Sequence, residues 1–184
     1  MIPPWVSLLV SAVTGGLMGA ALNILYHRAQ AKTAAKQVEQ SGIEALAGEL
    51  RRSRLLCDHN AALKQNATAP FIRFPNAVAT EVSFGHRHSY PSLAPMQPSL
   101  EAYSLAATHL NQLIDLHHLL WSSHEAPVGI SSGAPGRREE LRFEVADICS
   151  GQKRLEKFGP EGFLVWPTFI GALVAQLSDP AHST

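Results

Sequence analysis

From Met1 to Tyr26 the chain carries no charged side chain. Its apolar core runs from Trp5 to Tyr26, and few folds accept such a run. About 22 residues of helix rise about 33 Å, against a bilayer hydrocarbon core of about 30 Å. In lipid the backbone finds no water to bond, and a helix satisfies its own N–H and C=O groups. Trp5 and Tyr26 stand at the two ends, where amphipathic rings favour the membrane interface. Pro3 and Pro4 fall at the start, where a missing amide proton costs least. Residues 1–27 therefore read as a single transmembrane anchor.

A cleaved signal peptide is the competing reading. It wants a basic residue before a shorter apolar stretch, then a small-residue cleavage site. Here nothing before Trp5 is basic, whereas Arg28, Lys32 and Lys36 all follow the run. Basic residues favour the cytoplasmic side, so the expected topology is single-pass in the inner (plasma) membrane. The N-terminus is outside and the remaining domain is cytoplasmic. An Asn66-Ala67-Thr68 sequon carries no weight in that orientation. The three juxtamembrane cations also suit anionic lipid. One face of the run is small: Ala12, Gly16 and Ala20 recur every fourth residue, with Gly15 and Gly19 beside them. Such a face lets two helix backbones approach in lipid, as a homodimer or against a partner's span, though glycine and alanine are also simply common there.

Residues 28–42 are rich in Ala, Gln and Lys and read as a solvated helical stalk. Residues 43–178 then read as one all-α bundle domain of about four helices. The first shows an apolar stripe of Ile43, Leu46, Ala47, Leu50, Cys57 and Ala61, interrupted by Arg54. Residues 65–98 are a proline-punctuated crossover, with a short helix from Pro75 to Phe84 and aromatic residues Phe71, Phe74, Phe84 and Tyr90 to pack it down. A central helix follows, capped by Ser99, with Leu100, Tyr103, Ala107, Leu110, Ile114, His117 and Trp121 in a stripe that Ala106, Leu113, Leu116 and Leu120 widen. Residues 122–136 are a flexible linker, 137–158 an amphipathic helix ended by Gly159-Pro160, and 179–184 a loose tail; the uncharged 163–177, at about 22 Å short for a bilayer, reads as a core helix in preference to a second span or an interfacial helix.

The chemistry is sparse. Charges balance at 15 basic and 15 acidic, so no nucleic-acid partner is expected. Cys57 and Cys149 read as buried thiols of a reducing compartment. Nine histidines are the compositional oddity. His86, His88 and His124 are the candidate metal ligands, yet no recognised ligand spacing supports them. His117 reads as a satisfied core histidine, with His109 and His118 on the polar side. No phosphate loop, nucleophile elbow or carboxylate pair is present, and no cofactor is expected. The expected function is a membrane-tethered, non-enzymatic interaction or accessory module whose partners are the bilayer and a copy of itself or another span. The alternative is a metal-binding or metal-dependent enzyme domain using the loop histidines.

Overall fold

A computed structural model describes residues 4–65, 69–85, 87–123, 134–158 and 162–178. Side chains of residues 4–17, 19, 21, 87, 123, 134 and 135 lie outside the description. The chain divides into two compact units, Met1–Ser41 and Gly42–Thr184. Helix α1 covers Pro4–Ala62 without a break, in keeping with a stretch that has no proline after Pro4. Among the described residues no helix is long and apolar enough to cross a membrane. The expected anchor is therefore not shown as a membrane span, and most of that run falls on residues whose side chains are not described. In the first unit, Arg28, Lys32 and Lys36 are exposed on α1.

In the second unit the apolar stripe of α1 does what its spacing implies. Leu46, Leu50 and Cys57 are buried, and Ile43, Ala47 and Ala61 pack partly against the same core. Arg54 keeps to the rim, where its guanidinium donates to the Pro167 carbonyl at 2.6 Å. The last turn of α1 loosens into short-range bonds, Leu63 to Asn60, Lys64 to Ala61 and Gln65 to Ala62.

The crossover is ordered by side chains. Residues 70–76 lie without regular secondary structure between α1 and α3 (Gln97–Ser123), and among the described residues no strand pairs with them. Asn60 of α1 takes the Ile72 N–H at 3.0 Å and donates to its carbonyl at 2.8 Å. Asn111 of α3 does the same for Phe74, at 2.8 and 2.9 Å. Each amide thus supplies the donor and the acceptor that a neighbouring strand would. Tyr103 donates to the Pro75 carbonyl at 2.7 Å and shares a 2.7 Å bond with Ser53. Glu49 then accepts the N–H groups of Val78 and Ala79, capping the short helix α2 (Ala77–Thr80) from a distance. A π-helical turn, Glu81–Gly85, continues α2. This clamp seats Phe71, Phe74 and Val82 in the core, with Tyr90 buried farther along. Phe84 departs from expectation and is 54% exposed, since it lies two residues past the buried Val82 and so on another side of the turn.

Helix α3 begins at Gln97, directly after a 3-10 turn from Pro91 to Met96, so Ser99 lies inside the helix and does not cap it. Pro98 is tolerated in that first turn. The stripe from Leu100 to Ile114 is buried, as is His117, but Leu116 faces solvent. Helix α4 (Ala134–Ser150) stops earlier than the sequence pattern implies. Gly151 at φ 80° turns the chain, its N–H bonding the Ile148 carbonyl. Leu155, expected on a helix, instead sits on β1 (Leu155–Glu156), which pairs antiparallel with β2 (Phe163–Leu164). Helix α5 (Trp166–Ser178) buries Trp166, Ile170, Leu173 and Leu177 and has Pro167 in its first turn. Trp166 stacks on Tyr103 at 5.3 Å and meets Phe74 edge-on at 5.5 Å. Among the described residues the second unit is thus a helical bundle with one two-residue ribbon.

Two substitutions test this account. Asn111→Ala leaves both buried polar groups of Phe74 unpaired and should cost about 2–4 kcal/mol in urea unfolding. Thr108→Ala, losing an exposed bond to Asn76, should stay within about 0.5 kcal/mol. On α1, a Cβ at Gly42 would land on the Tyr90 ring, whereas at Gly48 it would meet nothing. Gly48→Ala should raise stability by about 1 kcal/mol through helix preference, and Gly42→Ala should lower it in the wild type but add no further loss when made in a Tyr90→Ala background.

Candidate functional site

The sequence-predicted site residues do not converge. His88 is exposed on a 3-10 turn, and His86 and His124 lie outside the described residues. Among the described residues no group of three His, Cys, Asp or Glu is placed to hold a metal ion. Of the small-residue face, Ala12, Gly15, Gly16 and Gly19 sit on α1 without described side chains, and Ala20 is exposed. Cys57 and Cys149 are free and buried. Burial pushes the Cys57 thiol up to about 12, and burial with Cys57 nearby raises that of Cys149, so neither supplies a thiolate near neutrality.

The residue that stands out is His117. It ends the buried stripe of α3 and is only 1% exposed. Phe71, delivered by the clamp on Ile72 and Phe74, meets its ring edge-on at 5.0 Å. Trp121, one turn on, lies 5.9 Å away, and His118 lies 6.0 Å away. Pro70, His117, His118 and Trp121 line a half-open cavity of about 220 Å³. Its sequence reading as a satisfied core histidine holds only for its burial. Among the described residues neither of its ring nitrogens has a hydrogen-bond partner. His118, expected on the polar side, also lines the cavity and has a buried Nε2 without a partner among them. The missed signal was the pairing of adjacent histidines with Trp121 at the end of an apolar stripe.

The electrostatics follow from the surroundings. Burial first, then His118, Arg138 and Arg142, hold His117 down to about 4. At neutral pH its imidazole is uncharged, with one donor and one acceptor. Arg138 and Arg142 reach this region from α4. The Arg138 guanidinium lies 4.9 Å from the Trp121 ring centroid, and Arg142 pairs with Glu139 at 3.6 Å.

A second groove of about 480 Å³ is lined by residues that include His109, Glu144, Lys153, Arg154 and Lys157. Lys153 is tied to Glu144 at 2.6 Å, and Arg154 lies over Phe163. Lys157, at φ 69°, directly follows β1, its N–H bonding the Gly162 carbonyl at 2.6 Å.

Fold and site together define a helical domain with a ligand-sized cavity around a buried, neutral histidine. In comparisons with known proteins, the chain matches no family model, no curated protein and no solved structure.

The depressed pKa of His117 makes a pH prediction. Below about 6.5 the unfolded chain takes up a proton at this position that the folded chain refuses until about 4. Stability should fall as pH drops through that window, by up to about 3 kcal/mol from this residue, with no contribution above it. Urea unfolding at pH 7.5 and 4.5 reads the effect. His117→Leu should match wild type within about 1 kcal/mol at pH 7.5 and lose clearly less on acidification.

Proposed function

We propose that this chain is a membrane-tethered, non-enzymatic interaction or accessory module. In this reading its N-terminal helix crosses the inner membrane once, N-terminus outside, and holds the helical domain on the cytoplasmic side. One observation carries the tether. Met18, Leu22, Ile24, Leu25 and Tyr26 are each more than half exposed on α1, apolar surface that water disfavours and lipid or a partner span covers. The exposed Arg28, Lys32 and Lys36 follow at once, as positive residues do on a cytoplasmic flank. The rest of the span, from Trp5 to Leu17, rests on the uncharged sequence. The small face from Ala12 to Ala20 supplies the surface for a second copy or a partner's span. In the domain, buried Glu49, Ser53, Asn60 and Asn111 hydrogen-bond the chain's own crossover or Tyr103, the residue that bonds it, a structural use that suits a scaffold.

Reporters fused at the C-terminus should score as cytoplasmic, and the full chain should fractionate with membranes. A chain starting near Lys36 should leave the membrane fraction and stay largely helical by circular dichroism. A C-terminal signal from the outer side would reverse the orientation. A truncated chain still bound to lipid would move the membrane contact into the domain, with the apolar α5 as its first suspect.

A further inference from the structure

We propose that the cavity bounded by Pro70, His117, His118 and Trp121 binds a small carboxylate carried on a single ring. This reading goes beyond membrane tethering and does not rest on it. The size comes first: a cavity of about 150 Å³ holds benzene, and this one measures about 220 Å³, enough for one ring and a carboxylate. Two of the four lining residues, Pro70 and Trp121, offer apolar faces on which a flat ring packs.

The polar side of the cavity asks for an acceptor. His117 is 1% exposed, and among the described residues nothing bonds either of its nitrogens or Nε2 of His118. A buried polar group left unpaired costs free energy, and a ligand that pairs it removes the cost. A carboxylate has two acceptor oxygens and takes an N–H from each imidazole. The charge agrees in sign. Arg138 stands over the Trp121 ring, and both Arg138 and Arg142 bear on His117 closely enough to disfavour its protonation, so an anion enters a positive potential. Glu139 offsets part of the Arg142 charge, which leaves Arg138 as the main attraction. A cationic ligand meets two arginines and two imidazole donors. A purely apolar one leaves the nitrogens unpaired.

The test uses the full chain with ring-labelled histidine at pH 7, in lipid nanodiscs if it partitions to lipid and in buffer if not. Sodium benzoate, benzyl alcohol and sodium acetate are titrated in turn while the histidine ring signals are followed by NMR. The His117 signal is assigned by its loss in His117→Leu. Benzoate should shift it saturably, and benzyl alcohol (ring without charge) and acetate (charge without ring) should each bind about tenfold more weakly or worse. Arg138→Gln, on a partly exposed position that leaves the cavity walls in place, should weaken benzoate several-fold and leave benzyl alcohol unchanged. The proposal is overturned if benzoate gives no saturable shift, if benzyl alcohol or acetate binds as well as benzoate, or if Arg138→Gln leaves benzoate binding unaltered.

Discussion

The grip of Asn111 on Phe74 is the interaction on which the domain depends. Backbone N–H and C=O groups taken into a core must be paired, and a helix or a sheet is the usual means. Residues 70–76 have neither. Two asparagines, one from α1 and one from α3, stand in for the missing strand and bond alternate residues, Ile72 and Phe74, on both their donor and acceptor groups. A loop so held behaves as a packed element although it has no regular structure.

Much of the core is arranged around that clamp. Phe74, once seated, closes on Trp166, and Trp166 stacks on Tyr103, whose hydroxyl reaches back to the crossover at Pro75. One aromatic group therefore ties α3, the crossover and the start of α5 together. Arg54, which breaks the apolar pattern of α1, adds a bond to α5 at its rim through the Pro167 carbonyl. The same clamp delivers Phe71 to the end of α3, against His117, and Pro70 to the cavity there. The structural device and the candidate binding site are in this sense one arrangement, since the cavity exists because the crossover is pinned at Ile72 and Phe74.

The helical stripes were legible because burial on one face of a helix has a period that composition cannot hide. Leu46 and Leu50 on α1, and Leu100 through Ile114 on α3, are where that period places them. The same logic failed where a local turn overrode it. Leu155 continues the spacing of α4, yet Gly151, in a left-handed conformation open to it at little cost, ends the helix and sends Leu155 into a strand. Phe84, aromatic like the buried Phe71 and Phe74, lies two residues past Val82, off the face that Val82 shares with Val78, and stays exposed. His117 was legible as a core residue by its position on the stripe. Its unpaired nitrogens were not, because a hydrogen-bond partner arrives from another part of the chain or does not arrive at all.

By itself the sequence determined the local matters: an uncharged N-terminal run, helices with one apolar face, prolines that forbid a long helix between residues 70 and 98, and a last apolar segment of core-helix length. These follow from interactions between neighbours along the chain, such as helix period, proline sterics and charge. Only the tertiary structure decided which polar side chains would serve the crossover. Asn60 and Asn111 look in sequence like any helix-surface amides, and Glu49 like a solvated acid. Their roles come from residues 12, 37 and about 30 positions away, brought within hydrogen-bond distance by apolar burial that specifies no polar pairing in advance. The cavity at His117 belongs with them, being the space left where Pro70 meets the end of α3.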